Sequence, residues 1–205
     1  MRKVDVAIIG AGTAGMGAYR AARAHTDNVV LIEAGPYGTT CARVGCMPSK
    51  LLIAAAEAAE AVRAAPGFGV HTAPPRIDGA AVMNRVRGER DRFVGFVVEA
   101  VEEFDAAHRI RAHARFTGPN TLALDTGEVI EADRIVVATG SVPVTPGSVD
   151  AVGDRLIVND DVFHWVDLPS SVAVFGAGAI GLELALALAR LGVRVRLFGK
   201  GGGVG

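Results

Sequence analysis

The chain has 205 residues, of which 50% are apolar and 21% are charged, a balance that excludes an intrinsically disordered protein. The formal net charge is −1, and no local basic run compensates for it, so nucleic acid is not an expected partner. No apolar stretch reaches the roughly 20 residues that span a bilayer. Because Asp5 stands where a signal peptide would begin its apolar core, we expect a cytoplasmic protein that does not bind membranes.

The start of the chain carries the pattern of a βαβ unit. A β-branched apolar run over residues 4–9 predicts a buried strand, residues 16–25 predict an alanine-rich helix, and residues 28–33 predict a second strand. A glycine-rich turn lies between the first strand and the helix. This order of elements favours an α/β fold of the Rossmann type.

That turn contains Gly10, Gly12 and Gly15 at the G-x-G-x-x-G spacing. The first glycine permits a tight turn, the second lets a pyrophosphate approach the backbone, and the third lets the helix lie close to the strand. The helix N-terminus presents free N–H groups and a partial positive charge to the phosphates. Glu33 ends the second strand, where a carboxylate can accept hydrogen bonds from ribose hydroxyls. The alternative is a tight turn that binds no ligand.

The middle of the chain predicts two long helices and then a group of short strands. Apolar residues recur at helical spacing over residues 41–63 and 79–104. The predicted strands cover residues 109–116, 121–124, 128–130 and 134–138, with a hairpin turn at 125–127.

The βαβ pattern restarts after a connector that contains Pro143, Pro146, Gly147 and Gly153. Its elements are a strand over 171–175, a glycine-rich turn, a helix over 182–191 and a strand over 193–198. Two such units indicate two nucleotide-binding domains in series. Because the second has barely begun when the sequence stops, we expect the chain to be part of a longer protein.

The second turn repeats the glycine spacing at Gly176, Gly178 and Gly181, so its expected ligand is a nicotinamide dinucleotide. The acid that would end the following strand is absent, which removes the usual argument for NAD over NADP. Lys200 could bind a 2′-phosphate or could be only a solvated charge, and both interpretations stay open.

The two cysteines, Cys41 and Cys46, stand at the start of a predicted helix, with Pro48 suited to its first turn. A helix N-terminus favours a thiolate, and Lys50 can add positive charge from the same face as Cys46. Gly45 gives the backbone the freedom to bring the two sulfurs within bonding distance. No further His or Cys lies nearby, so we predict no metal site. The cysteines either do redox chemistry together or are two unrelated buried thiols.

Taken in order, these motifs resemble the class I pyridine nucleotide-disulfide oxidoreductases over essentially the whole chain. The cysteine segment, residues 38–50, is the most specific of them. Its Pro-Ser-Lys ending is similar to dihydrolipoamide dehydrogenases, the closest resemblance, and to mercuric reductases. Ala42 and Arg43 depart from the Leu-Asn that is common between the cysteines, and Thr39 replaces a glycine.

The resemblance implies a role for each residue of the catalytic group. Cys41 and Cys46 would form the redox-active disulfide, with Cys46 as the charge-transfer thiolate nearer the flavin. Cys41 would be the thiol that exchanges with the substrate. Lys50 would lie beside the flavin ring, and Glu183, from the helix of the second unit, would pair with it.

The resemblance also implies the cofactors and the domains that bind them. FAD belongs to a partial Rossmann-like domain over residues 1–148, and NAD(P) belongs to the truncated start of a second domain over residues 149–205. The residues expected to bind FAD are Gly10, Gly12, Ala14, Gly15, Glu33, Ala34, Thr40, Lys50, Ala114, Thr139, Gly140 and Ser141. The residues expected to bind NAD(P) are Gly176, Gly178, Ile180 and Gly181.

The activity implied is that of an FAD-dependent dithiol/disulfide oxidoreductase that oxidises dihydrolipoamide and passes the electrons to NAD(P). The expected substrate is a small-molecule or lipoyl-domain dithiol, and the parent protein is expected to be a homodimer. None of the five histidines has the context of the family's catalytic base, so the chain alone is expected to be inactive. The alternatives are a mercuric-reductase-like or other disulfide reductase and a non-catalytic nucleotide-binding fragment.

Overall fold

The computed structural model describes residues 1–145 and 147–199 of the chain. The α-helices are α1 (Thr13–Arg23), α2 (Thr40–Val44), α3 (Cys46–Ala64), α4 (Gly79–Glu102) and α5 (Ala179–Arg190). The strands are β1 (Arg2–Ile9), β2 (Val29–Ile32), β3 (Arg109–Ile110), β4 (Ala114–Gly118), β5 (Thr121–Leu124), β6 (Val129–Val137), β7 (Ser171–Phe175) and β8 (Arg194–Phe198). Short 3₁₀ segments cover Ala65–Phe68, Gly147–Arg155 and Asn159–His164.

The chain forms two compact units. The first contains Met1–Thr40 and Phe93–Val142, and the second contains Cys41–Arg92 and Pro143–Gly205. The domain boundary predicted after residue 148 stays a prediction. Within the described residues, no helix is both long and apolar enough to cross a membrane.

Two residues singled out in the sequence, Pro146 and Lys200, lie outside the described residues. Both interpretations of Lys200 therefore stay open.

The first unit is built on a six-stranded sheet with the order β3-β2-β1-β6-β5-β4. Strands β3, β2, β1 and β6 run parallel, while β5 and β4 are antiparallel to their neighbours. Helix α1 connects β1 to β2, as the glycine-rich turn predicts. The parallel-dominated sheet confirms the predicted α/β fold of the Rossmann type.

Two strand predictions differ from the structure because the chain changes its hydrogen-bonding partner. Residues 109–116 were expected to form one strand, yet the Ile110 carbonyl accepts from Glu33 beside β2, while the His113 carbonyl accepts from Asp125 beside β5. The segment therefore divides into β3 and β4. Conversely, the strands predicted at 128–130 and 134–138 form the single strand β6, because it pairs with both β1 and β5.

Apolar side chains cover both faces of the parallel strands in this unit. On one face, Met16 and Tyr19 of α1 pack with Ile8, Leu31 and Val101. On the other face, strands β5 and β6 contribute to a second buried cluster. Its members are Val4, Ala7, Val30, Ile32, Ala112, Leu122, Leu124, Ile130 and Ala132. This burial explains why β2 and residues 6–9 of β1 are continuous apolar runs.

The helix predicted over 41–63 is interrupted in the second unit at Gly45, whose backbone angles are φ −122° and ψ −123°. Pro48 has no N–H to donate to the carbonyl of Val44, so a continuous helix would lose a hydrogen bond here. The chain forms α2 and α3 instead. The interruption leaves Cys46 as the first residue of α3.

The second unit buries α3, α4 and α5 around one apolar cluster. Leu52 and Met83 are fully buried in it, and Phe163, Leu184 and Leu188 pack with them. Strands β7 and β8 run parallel, and Ser171 lies opposite Arg194 at the start of their register. Helix α5 connects the two strands, which is the second βαβ unit predicted from the sequence.

We predict that Gly15→Ala unfolds the first unit or destabilises it by more than about 3 kcal/mol, above the usual cost of overpacking. A Cβ at Gly15 would lie 1.7 Å from the Gly10 carbonyl oxygen. The matched control is Gly17→Ala in the same helix, where a Cβ meets nothing within 4 Å. Because alanine is the better helix former, the control should gain about 0.5–1 kcal/mol. Urea unfolding measures both, and equal stability of the two variants would contradict the prediction.

Candidate active site

Cys41 lies in the short helix α2 and Cys46 is the first residue of the long helix α3, and both are exposed free thiols in the structure. A hydrogen bond joins their side chains. Burial raises the pKa of the Cys41 thiol, and the hydrogen bond to Cys46 and the charge of Cys46 raise it further. The two sulfurs are thus neighbours, as the redox hypothesis requires. The disulfide expected after air oxidation stays a prediction.

Lys50 and Glu183 form an ion pair, with Lys50 Nζ 2.8 Å from Glu183 Oε2. Lys50 extends from the second turn of α3, and Glu183 extends from α5. Both side chains are about half exposed, at 59% and 45%. An exposed pair of this kind contributes about 0–1 kcal/mol to stability, so it is a minor part of what holds α3 to α5.

A cleft of about 220 Å³ contains this ion pair and the first turn of α3. Polar and apolar side chains both line it, and one hydrogen bond within it ties Ser49 Oγ to the Cys46 carbonyl at 3.1 Å. Its lining includes Cys46, Ser49, Lys50, Asn159, Phe163 and Glu183. Cys46 therefore lines the same cleft as the ion pair and stands at the N-terminus of α3.

The first glycine-rich turn has the shape that a pyrophosphate needs. Gly10 adopts φ +104°, and a Cβ on it would lie 2.3 Å from the Ala138 carbonyl. A Cβ on Gly12 would meet nothing within 4 Å, and no side chain caps the N-terminus of α1. Open space and free helix N–H groups at the same place fit the phosphates of FAD.

Glu33 is bound to two backbone amides of this unit. Its Oε2 accepts from the Ala11 N–H at 2.8 Å, and its Oε1 accepts from the Gly35 N–H at 2.8 Å. A carboxylate has about four lone-pair positions, so acceptor capacity remains for ribose hydroxyls. The residue therefore shapes the turn in addition to its predicted role with ribose.

The other residues expected to bind FAD are spread along the chain. Ala14 lies in the first turn of α1, Ala34 is exposed after β2, Thr40 begins α2 and Ala114 begins β4. The segment Thr139–Ser141 follows β6, and the N–H of Thr139 would lie 3.2 Å from a Cβ on Gly10. The structure thus brings Thr139 to the first glycine-rich turn. The contacts of all these residues with a cofactor stay predictions.

The second glycine-rich turn repeats the geometry of the first. Gly176 has φ +121°, and a Cβ on Gly181 would lie 1.9 Å from the Gly176 carbonyl oxygen. Gly178 faces open space and precedes the uncapped N-terminus of α5. Ile180, in the first turn of α5, also lines the cleft that contains Cys46. These features fit the pyrophosphate of a nicotinamide dinucleotide.

Sequence reasoning missed the 3₁₀ segment Asn159–His164. Two of its residues, Asn159 and Phe163, line the cleft with Cys46. The segment is too short to show apolar periodicity, and its acidic pair Asp160 and Asp161 looks like an ordinary polar turn. No local signal in the sequence distinguishes it.

The sequence matches the pyridine nucleotide-disulphide oxidoreductases over residues 4–201. The chain belongs to this family. The resemblance seen in the sequence is thereby confirmed at the level of the family. FAD and NAD(P), the cofactors expected from it, are the cofactors of this family.

Among curated relatives, mycothione reductase of Mycobacterium tuberculosis is 32% identical and is matched over 98% of this chain and 44% of its own length. Dihydrolipoyl dehydrogenase of Halobacterium salinarum is 35% identical, over 93% of this chain and 41% of its length. The HOCl-induced flavoprotein disulfide reductase RclA from Escherichia coli superposes with a TM-score of 0.73 at 26% identity. That match covers 97% of this chain and 43% of RclA. The chain therefore spans less than half the length of these relatives.

We predict that Cys46→Ala lowers the pKa of Cys41 toward its ordinary value of 9.0, because the variant removes both the hydrogen bond and the charge of Cys46. Iodoacetamide alkylates the thiolate, so the rate of Cys41 alkylation rises as the thiol ionises. The pH at the midpoint of this rise should be lower in the variant than in the unaltered chain. Peptide mass spectrometry separates the two cysteines.

The matched control for this measurement is Met47→Ala, which keeps both thiols and the backbone amide beside them. Its Cys41 midpoint should equal that of the unaltered chain. A Cys46→Ala midpoint that stays unchanged or moves to higher pH would contradict the assigned cause of the shift.

Proposed function

We propose that this chain is part of an FAD-dependent dithiol/disulfide oxidoreductase that oxidises dihydrolipoamide and delivers the electrons to NAD(P). The observation that supports this most directly is the group of Cys46, Lys50 and Glu183 in one cleft, with the Cys41 side chain hydrogen-bonded to Cys46. One cleft therefore combines a thiol for disulfide exchange, a lysine cation and a glutamate that pairs with this cation.

The reaction begins from the oxidised Cys41–Cys46 pair. A thiolate of the dithiol attacks the Cys41 sulfur, which forms a mixed disulfide and releases Cys46 as a thiolate. The second thiol of the substrate then attacks the substrate sulfur that is bonded to Cys41. This step forms the cyclic substrate disulfide and releases Cys41 as a thiolate. One substrate disulfide forms, one protein disulfide breaks, and two electrons remain on the cysteine pair.

The protein's own groups decide which sulfur leaves first. Cys46 is the first residue of α3, so its release in the first step would place negative charge at a helix N-terminus, where such charge is favoured. Burial raises the pKa of Cys41, so this sulfur is released second and takes up a proton more readily. When bound, FAD would supply the two-electron chemistry that connects the cysteine pair to a nicotinamide.

Dihydrolipoamide is the first choice of substrate because the Pro-Ser-Lys ending of the cysteine segment resembles dihydrolipoamide dehydrogenases. A small-molecule or lipoyl-domain dithiol, a homodimeric parent and a cytoplasmic location belong to the same proposal. The similarity to mycothione reductase favours, as a second candidate, a disulfide reductase that runs in the opposite direction.

The test uses the FAD-loaded full-length parent protein with Cys41→Ser and Cys46→Ser. Both variants should lose at least 100-fold in turnover of dihydrolipoamide with NAD⁺ or NADP⁺, since neither can form the disulfide; this is an order-of-magnitude expectation for loss of a covalent catalyst, roughly 3 kcal/mol. Cys41→Ser should keep the long-wavelength absorption of a thiolate beside the flavin, and Cys46→Ser should lose it. Met47→Leu is the control, expected to keep both turnover and absorption.

Substrate choice is tested by comparing kcat/KM for dihydrolipoamide oxidation with kcat/KM for reduction of low-molecular-weight disulfides by NADH and NADPH. The proposal expects the dithiol to be preferred. A preference for a disulfide would favour the second candidate, and full turnover by either serine variant would overturn the proposed role of the cysteine pair.

A further inference from the structure

We infer that Asn159 is a further cofactor-binding residue, whose side-chain carbonyl accepts a hydrogen bond from an amide-type N–H of a planar ring in the cleft. Two groups carry such an N–H, the imide of the flavin and the carboxamide of the nicotinamide. Asp160 and Arg90 are assigned as positioning residues that fix Asn159 and the wall around it. The inference rests on the proposed function, because it takes the cleft to hold one of these rings.

The hydrogen bond between Asn159 and Asp160 sets the direction of the amide. Asn159 Nδ2 donates to Asp160 Oδ1 at 2.7 Å. An ionised carboxylate only accepts, so the NH₂ group must face Asp160. The carbonyl oxygen is then the polar atom that Asn159 can offer to the cleft, which it lines together with Cys46 and Glu183.

The composition of the cleft fits a planar ring. Apolar side chains from Phe163, Ile180 and Leu184 share its lining with a small number of polar groups. Such sites use the apolar surface for affinity and the polar groups for orientation. Lys50 supplies donors and Glu183 supplies acceptors, and Asn159 adds a neutral acceptor whose orientation is already determined.

The groups around Asp160 act on its carboxylate in opposite directions. The pKa of Asp160 is raised, first by burial and then by the charge of Asp161, while Arg43, the hydrogen bond with Asn159 and His164 oppose this rise. Arg43 lies between the two cysteines, at the position that departs from the family's common pattern. Its positive charge stabilises the ionised carboxylate, the form that can only accept from Asn159.

Arg90 attaches the other end of the segment to α4. It is buried, with 8% of its surface exposed. Its Nη1 donates to the Phe163 carbonyl at 2.7 Å, and its Nε donates to Asp91 Oδ1 at 2.8 Å. Arg87 donates to the Trp165 carbonyl in the same way. A buried guanidinium costs free energy unless its donors are used, and here they hold the backbone beside Phe163.

The start of the segment is held separately, by a side chain that does not touch the amide of Asn159. The Val158 N–H donates to Asp161 Oδ2 at 2.9 Å, which caps the first turn. Asp161→Ala is therefore a matched control, because it weakens the same segment and leaves the Asn159–Asp160 hydrogen bond in place.

The experiment measures dissociation constants for paired ligands that differ only in the amide N–H. One pair is NADH and its 3-acetylpyridine analogue, which lacks the carboxamide N–H. The other pair is FAD and FAD methylated at the imide nitrogen. In one of the two pairs, Asn159→Leu should weaken binding of the ligand that has the N–H by about 3–10-fold, which corresponds to the loss of one neutral hydrogen bond. Binding of the ligand that lacks the N–H should weaken by less than about twofold.

The variants separate positioning from general damage. Asp160→Ala and Arg90→Met should reduce the same discrimination between paired ligands, whereas Asp161→Ala should keep it. Arg63→Met controls for loss of a guanidinium–carbonyl bond, because Arg63 Nη1 donates to the Arg190 carbonyl at 2.6 Å and Arg63 is not part of the cleft lining. Asn159→Ala removes the same carbonyl without added bulk and replaces the leucine variant if that one fails to fold.

Each outcome decides a separate question. A change confined to the nicotinamide pair identifies the carboxamide as the donor, and a change confined to the flavin pair identifies the imide. Equal weakening of both members of a pair, or no weakening at all, would overturn the inference for Asn159. An unaltered full-length parent protein that binds neither FAD nor NADH would overturn the proposed function itself.

Discussion

Both glycine-rich turns depend on a helix that begins in close contact with the strand before it. The carbonyl oxygen of Gly10 occupies the space where a side chain at Gly15 would begin, and Gly176 and Gly181 repeat the arrangement. Only glycine permits this approach, which aims the free N–H groups of α1 and α5 at the end of the preceding strand. The geometry that fits a phosphate at each turn follows from that closeness.

Apolar packing between α3 and α5, and not the ion pair, sets the position of the cleft. Leu52, Leu184 and Leu188 are nearly fully buried in the same cluster, and each such side chain contributes about 1.5–3 kcal/mol. The exposed Lys50–Glu183 pair contributes at most about 1 kcal/mol. The core therefore brings the two charges together in the cleft that Cys46 also lines.

The parts of the fold that repeat a strong local pattern could be predicted from the sequence. The two glycine turns, the strands around them and the pairing of Lys50 with Glu183 were all expected, the last from resemblance alone. The division of residues 109–116 between β3 and β4 could not be foreseen, because it depends on distant hydrogen-bonding partners. Asn159 was missed for a similar reason, since its place in the cleft follows from contacts with α4 that no local pattern encodes.

The two hydrogen bonds that Glu33 accepts from backbone N–H groups bear on how a nucleotide would bind. The carboxylate ties the glycine turn to the loop after β2 through Ala11 and Gly35, with no ligand needed for either bond. The backbone conformation is consequently fixed when the chain folds, and its entropy is lost at that stage. A dinucleotide that binds at this turn would meet a loop already held by these two hydrogen bonds, so less of its binding free energy would be spent on ordering the loop.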